Sequence, residues 1–313
     1  MRLISPVASS LTLAALVSGA VLAQRGAATP DPIVKEGTTV RVAPHTYVIP
    51  DENVGLVPNV GIVVGSRATL VIDPGLGRRN GEAVLREVAK VSRNSELYIA
   101  STHFHPEHTT GYLAFPPSAR YVNSTVQEDE FAASGMQMVQ AFAGRSPATA
   151  EILKDAARRP AAITFDRSYT LDLGGVSVEF IVVGPTHTRG DTGFFVTGDN
   201  VLFAGDVVMN NSFLAASAAS SMKAWLAAFD AFDAKKPQVV VPSHGAVGTG
   251  ALVDANRDIM RAIQTRAVEL KAQGRTANEV ATTISTEQQA QHPGWPRANG
   301  IAAAARSAWA EAP

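Results

Sequence analysis

Two hydrophobic rhythms succeed one another along the chain, and their order gives a first picture of its architecture. From Thr38 the apolar positions come in short runs separated by turn residues: Thr39-Val40-Arg41-Val42, Thr46-Tyr47-Val48-Ile49, Val60-Gly61-Ile62-Val63-Val64 and Ala68-Thr69-Leu70-Val71-Ile72. Runs of this length, rich in β-branched residues and with Gly65-Ser66-Arg67 between the last two, predict an antiparallel opening sheet. Asp73-Pro74-Gly75 closes it with a carboxylate at the end of a buried strand, and Asn80 to Ser92 then takes helical spacing through Val84, Leu85, Val88 and Val91. A strand at Leu97 to Ala100 and a short one at Tyr121-Val122 precede helices at 124–141 and 148–157. Strands return at 162–165, 168–171, 176–183, 193–197, 201–204 and 238–241, with an amphipathic helix at 222–232 before the last. Beyond them 252–273, 276–288 and 301–310 read as helices.

Chemistry collects at the strand ends. Leu97 to Ala100 leads into Thr102-His103-Phe104-His105-Pro106-Glu107-His108, which holds three of the chain's seven histidines and a carboxylate. Neutral imidazole nitrogen with carboxylate oxygen is the ligand set that borderline metals such as zinc accept. Pro106 presets a helical φ, so Glu107 and His108 are expected to begin a short helical turn while His103 and His105 share one side of an extended segment, which lets all four converge. Later strands deliver His187, Asp206 and His244. Polar groups on loops held by a rigid sheet are how α/β scaffolds build sites. Asp191 is expected to shape its turn or orient a metal-binding ring from behind. Arg189 is expected to form a salt bridge, with contact to an anionic substrate as the alternative, and His45 and His292 to be structural or exposed. Met209, Asn210 and Asn211, just after Asp206, are placed to line a cleft, where their backbone amides either hold a substrate carbonyl or, as Asn pairs commonly do, simply make a turn.

Composition narrows the picture. Hydrophobic residues make up 46% and charged residues 18%, with a formal net charge of -1. This balance fits a folded protein with a large core, and offers neither a nucleic-acid footprint nor a polybasic membrane patch, so a small-molecule substrate is the expected partner. The absence of Cys rules out a disulfide framework and a thiolate ligand. At the start, Met1-Arg2, the apolar stretch Leu11 to Leu22 and the small-residue ending Val21-Leu22-Ala23 predict a signal peptide over 1–23, cleaved before Gln24. Its apolar run falls short of the roughly 20 residues a spanning helix needs, so a periplasmic or secreted protein without stable membrane association is expected. Residues 24–37 read as a linker, 38–250 as the main domain and 251–313 as a helical extension packed on it.

Together these residues resemble the metallo-beta-lactamase superfamily, whose signature is His-x-His-x-Asp-His followed by three single ligands at later strand ends; here the match runs from about Thr38 to His244. The resemblance implies an α/β fold, the four-layer αββα sandwich, with C-terminal helices and the site at one sheet edge. It further implies that His103, His105 and His187 hold one metal, that Glu107, His108 and His244 hold a second, that Asp206 bridges both, and that Asp73 braces the metal loop from behind. The implied cofactors are two Zn2+, with iron or manganese as other divalent ions for the second site. One departure stands out: the family usually has Asp where this chain has Glu107, and the extra methylene shifts the carboxylate by about 1 to 1.5 Å against a ligand distance near 2.0–2.2 Å. The implied activity is that of an exported dinuclear zinc hydrolase, in which a metal-bound hydroxide attacks an ester, lactone, thioester or amide carbonyl. Glu107 and Asp206 are its catalytic carboxylates, and Asp206 passes the proton to the leaving group. Beta-lactamase activity is the alternative. A non-catalytic metal-binding protein and a diiron redox protein of the same fold are further ones, the last disfavoured by His105 and by the lack of a flavin-binding segment.

Overall fold

The strand runs are apolar at nearly every position because both faces of each sheet are covered. In the computed structural model, which describes residues 30–313, one sheet is formed in sequence order by β1 (Val40–Arg41), β2 (Thr46–Ile49), β3 (Val60–Val64), β4 (Ala68–Ile72), β5 (Glu96–Ala100), β6 (Arg120–Ser124) and β7 (Ile163–Phe165). Pairing is antiparallel from β1 to β4, as expected, and parallel from β4 to β7. A second sheet has the order β12-β11-β10-β9-β8, made of β8 (Ser168–Asp172), β9 (Ser177–Val182), β10 (Thr192–Thr197), β11 (Val201–Gly205) and β12 (Val239–Pro242). All its pairs are antiparallel except β11 with β12. The expected signal peptide lies outside the described residues.

The period of two along each strand divides its side chains between two cores. In β4, Leu70 and Ile72 enter the core between the sheets with Phe180, Phe194 and Phe203. Val71, between them, faces the other way and packs with Ala83, Val84 and Val88 of α1 (Gly77–Val91). The second sheet repeats the device: Phe194 and Phe203 point inward, while Phe195 and Leu202 point outward against Trp225, Phe229 and Phe232 of α6 (Met222–Asp233). Strands dry on both faces read as continuous hydrophobic runs, and this is the reason. The layers are helix, sheet, sheet, helix, the αββα sandwich.

Between β5 and β6 lies α2 (Pro106–Thr109), followed by a 3-10 turn at Thr110–Ala114. The helix expected at 124–141 forms as α3 (Thr125–Glu130) and α4 (Met136–Ala143), joined by a π turn at Phe131–Gly135. That expected at 148–157 is limited to α5 (Pro147–Ile152), beyond which the Ala157 carbonyl meets Tyr112 Oη at 2.8 Å. α7 (Ala251–Ala272), α8 (Ala277–Gln291) and α9 (Asn299–Glu311) join α6 on the outer face of the second sheet through Met260, Ile263, Ile284, Ile301 and Ala305. A capping box between Thr276 and Glu279 starts α8 afresh after α7. Among the described residues no helix is long and apolar enough to cross a membrane.

Candidate metal centre

The centre is built on one buried carboxylate. At the end of β4, Asp73 adopts a left-handed φ of 57°, a conformation that Asp tolerates better than most residues. Its Oδ1 accepts the Thr102 N–H at 2.7 Å, and its Oδ2 accepts Thr102 Oγ1 at 2.8 Å, His108 Nδ1 at 2.9 Å and Ser243 Oγ at 3.3 Å. The end of β4 is thereby tied to the loop after β5 and to the loop after β12. Burial pushes the Asp73 carboxyl up to about 7 in spite of these donors. Pro106 opens α2 with His105 as its N-cap, and the turn brings Glu107 and His108 round toward His103 and His105.

The direction of each imidazole proton can be read from its partner. Thr102 Oγ1 gives its own hydrogen to Asp73, so at 3.1 Å it accepts from His103 Nδ1. His108 Nδ1–H donates to Asp73, His187 Nδ1–H to the Ala215 carbonyl at 2.6 Å, and His244 Nδ1–H to the Val57 carbonyl at 3.0 Å. In all four rings Nε2 is left as a bare lone pair. Burial, reinforced by neighbouring rings, holds His103 and His105 well below the usual imidazole range; burial likewise holds His108 well below it and lowers His244. Neutral rings with a fixed tautomer are the form that ligates metal.

These bare atoms converge. His105 Nδ1 lies 3.1 Å from His103 Nε2 and 3.2 Å from His187 Nε2. One proton on His105 Nδ1 satisfies at most one of those contacts, whereas nitrogens about 2.0–2.1 Å from a tetrahedral zinc stand about 3.3–3.4 Å apart. On the other side Glu107 Oε2, His108 Nε2, Asp206 Oδ1 and His244 Nε2 are buried without a hydrogen-bond partner. Each such orphan costs about 1–3 kcal/mol, and four around one space are accounted for by a cation they share. Three groups could hold a metal: His103 with His105 and His187, Glu107 with His108 and His244, and His103 with His108 and Asp206. Asp206 thus stands between the first two groups, 3.7 Å from His187 Nε2 through Oδ2 and 3.8 Å from His244 Nε2 through Oδ1. The residues present fit a pair of divalent ions.

Gly205, at φ 63°, lets Asp206 come this close, since a Cβ there would meet Thr102 Cβ at 3.0 Å. Burial opposes ionisation of Asp206, yet Arg297, whose Nη1 donates to Oδ2 at 2.7 Å, holds the carboxyl well below its usual range together with the surrounding rings. With those imidazoles neutral, Arg297 is the charge that decides. Glu107 has no such cation in contact, and burial pushes it up to about 7.

The seven residues singled out as ligands are brought together, and Asp191 takes the first of its two expected roles: it shapes its turn, accepting from Thr188 N–H and Oγ1 at 2.8 and 2.7 Å and from Thr186 Oγ1, and so braces the loop on either side of His187 without a hydrogen bond to the ring. Other neighbours differ from expectation. Arg189 forms no ion pair with a described residue, and its backbone N–H is held by Glu130 at 2.9 Å. Asn210 and Asn211 line an open cavity of about 430 Å3 beside His244 and Arg297. Met209 does not, because its side chain is buried in the outer core and its N–H and carbonyl are both taken by Asn256, at 3.1 and 2.8 Å. Sequence reasoning missed three further residues. Gln127 Nε2 lies within 3.0–3.2 Å of the carbonyls of Ser101, Thr102 and Gly190 and so joins the two histidine loops. Asn59 Nδ2 holds the carbonyls of Pro242 and Gly245 on either side of His244. Arg297 is the third.

The family model of the metallo-beta-lactamase superfamily matches residues 54–244, well over half of the chain, and the chain belongs to that superfamily. Among solved structures it is similar to a metallo-beta-lactamase from Pontibacter korlensis, at 19% identity and TM-score 0.58, covering 70% of this chain and 96% of that one. It is also similar to a metallo-beta-lactamase family protein from Thermus thermophilus, at 17% identity and TM-score 0.58, covering 86% and 93%. A third likeness is to a stereoselective inverting sec-alkylsulfatase from Pseudomonas sp., at 16% identity and TM-score 0.63, covering 87% of this chain and 49% of that one. The present chain thus spans about half the length of that enzyme. At these identities the likeness is one of fold. No curated protein sequence matches the chain.

Proposed function

We propose that the chain is an exported dinuclear zinc hydrolase, acting on a small-molecule ester, lactone, thioester or amide. The observation that carries this reading is the convergence of bare imidazole nitrogens and orphaned carboxylate oxygens on one buried space. His103, His105 and His187 would hold one ion and Glu107, His108 and His244 the other, with Asp206 between them. When bound, two zinc ions supply Lewis acidity and a water whose pKa falls toward about 7. The chain's own part is orientation. Asp73 and the carbonyls of Val57 and Ala215 decide in advance which ring nitrogen is bare in His108, His244 and His187, so those three tautomers need not change when the site fills. Asp206, held by Arg297 on Oδ2, would turn Oδ1 to the ions and, as the carboxylate beside the attacking water, would relay a proton from it to the leaving group. Asn210 and Asn211 form part of the wall against which the substrate would rest.

Export is supported by the charged start, the apolar stretch Leu11 to Leu22 and the ending Val21-Leu22-Ala23; Met1 still present on the mature protein would overturn it. The enzymatic reading is tested by counting metal in the purified protein and assaying 4-nitrophenyl esters, lactones and a chromogenic cephalosporin with and without zinc. Two zinc equivalents and a chelator-sensitive turnover that is lost in His103→Ala are expected. Chelator-resistant activity, or full activity in His103→Ala, sinks the proposal. Bound metal with no turnover supports a binding role instead, and bound iron with oxygen-reducing turnover supports the redox alternative.

A further inference from the structure

Arg297 reaches the metal centre from the far end of the chain and is held there on purpose-built packing. It ends the segment His292-Pro293-Gly294-Trp295-Pro296-Arg297 between α8 and α9. The His292 ring stacks on Trp295 at 4.2 Å, and Phe213 meets both, at 5.9 and 5.4 Å. The Phe213 N–H also donates to the Pro296 carbonyl at 3.2 Å, and Arg297 itself takes a left-handed φ of 65°. A merely structural arginine would be closed off by its partners. This one uses Nη1 on Asp206, while its Nε and Nη2 make no hydrogen bond to any described residue. The side chain, 28% exposed, forms part of the wall of the 430 Å3 cavity with Asn210, Asn211, Ser212 and His244. The carboxylate on that wall, Asp51, is committed elsewhere, accepting the N–H groups of Gly245 and Asn53 at 2.7 and 3.1 Å. The cavity therefore presents a half-used guanidinium fork beside the reaction centre.

A planar fork with free donors matches a planar oxyanion, which it grips through paired charge-assisted hydrogen bonds. The field points the same way. Two dications against Glu107, Asp206 and a hydroxide leave about +1, and Arg297 and Asp51 on the cavity wall offset one another in the count, so the centre stays positive and favours a substrate carrying its own negative charge.

We propose that Arg297 anchors a carboxylate on the substrate, so that the enzyme's substrates are carbonyl compounds with a carboxylate a few atoms from the scissile bond. This rests on the hydrolase reading above and narrows it. Arg297 then discriminates among substrates from the cleft wall while its Nη1 stays on Asp206.

The test uses the full mature chain, zinc-loaded, and two esters that differ in one charge: 4-nitrophenyl hydrogen glutarate and its methyl ester. The wild type prefers the half-ester in kcat/KM. Arg297→Gln reduces that preference by about 10- to 100-fold, the range for losing charge-assisted hydrogen bonds, and Arg297→Lys by less, because it keeps the charge and loses the fork. Calorimetric affinity for glutarate falls in parallel. Taking the ratio of two substrates cancels general damage done through Asp206, and metal counting on each variant reports the centre separately. No zinc in the wild type would sink the hydrolase reading itself. Two zinc ions with no half-ester preference, or with the preference and the glutarate affinity intact in Arg297→Gln, would overturn the anchor alone. Turnover of 4-nitrophenyl sulfate in place of both esters, abolished in Arg297→Gln, would overturn the assignment to a carboxylate.

Discussion

Replacing Asp73 by Asn changes one oxygen to NH2 at nearly constant volume, so it tests the polarity of the hydrogen bonds behind the metal centre and little else. In the native site one oxygen serves the Thr102 N–H at 2.7 Å, and the other serves Thr102 Oγ1 and His108 Nδ1–H at 2.8 and 2.9 Å. An amide has one acceptor oxygen. If it stays on the Thr102 N–H, the new NH2 confronts the His108 Nδ1–H, donor against donor. His108 is then driven into its other tautomer, with Nε2 carrying the proton and no longer able to ligate. If the amide turns round, the buried Thr102 N–H is orphaned instead. Losing the carboxylate behind a ligating histidine costs about 10- to 100-fold in metal affinity, or about 1.4–2.7 kcal/mol. Because Asp73 touches His108 directly, in the group with Glu107 and His244, and reaches His103 only through Thr102 Oγ1, the loss should fall more heavily on the ion of His108. Zinc titration against a competing chromophoric chelator is expected to give that site weakened by about 10- to 100-fold and the other by less. The metal-free variant should remain folded at pH 8, since burial makes the Asp73 carboxylate itself costly, pushing its carboxyl up to about 7. Two sites of native affinity, or equal weakening of both, would refute the tautomer argument.

Three further perturbations probe other parts of the same construction. Glu107→Asp should keep two metals and alter turnover more than folding, because the helical turn of α2 persists while the carboxylate retreats by about 1 to 1.5 Å; equal metal content with unchanged kinetics would show the extra methylene to be neutral. In the metal-free protein, His103, His105, His108 and His244 are depressed, so unfolding takes up protons below about pH 6.5. Asp73 and Glu107 are raised to about 7, so unfolding releases protons as pH climbs from their ordinary values toward 7. Four rings outweigh two carboxyls, and stability should rise with about two protons' slope near pH 5.5 and stop rising at about pH 6.5–7; a flat or falling Tm between pH 5.5 and 6.5 would contradict this. Gly300→Ala should lower stability by about 1–3 kcal/mol, read in a denaturant melt, because the new Cβ would stand 2.3 Å from the Leu214 carbonyl; an unchanged midpoint would mean that α9 can shift freely there.

The legible parts of the site were those marked by an unusual side chain at a strand end. His103, His105, Glu107 and His108 lie within one short stretch whose geometry is set by an extended segment and a proline-started turn, so local rules suffice. His187, Asp206 and His244 each follow a strand whose apolar run announces it. The partners that fix the rings were legible only where a carboxylate supplies them, as Asp73 does. His187 and His244 are held by the backbone carbonyls of Ala215 and Val57, a group every residue carries, so no residue type marks those positions. Arg297 was hidden for another reason. It meets Asp206 across 91 positions of sequence, and no periodicity or motif connects a loop between two C-terminal helices with the end of β11. The fold followed the same logic: apolar runs gave the strands, while the switch from antiparallel to parallel pairing after β4 depends on the crossover through α1, which the runs do not record.

The segment from Met209 to Ala216 shows why the change of rhythm at residue 250 is not a change of body. Its first residue is clasped by Asn256 of α7 through both backbone groups. Phe213 holds the Pro296 carbonyl and stacks in the aromatic cluster that seats Arg297. The Leu214 carbonyl lies directly under Gly300 of α9, where only a hydrogen fits. One residue further on, the Ala215 carbonyl takes the His187 proton at 2.6 Å. A single strip of chain therefore receives α7, the α8–α9 connection and α9 on one side, and on the other holds the His187 ring, which stands in a group that could hold a metal, and forms the cavity wall at Asn210 and Asn211. Any displacement of the C-terminal helices acts on His187 through Ala215 and on Asp206 through Arg297 at once. The helices expected as an extension packed on the main domain thus also help to hold His187 and Asp206 in place.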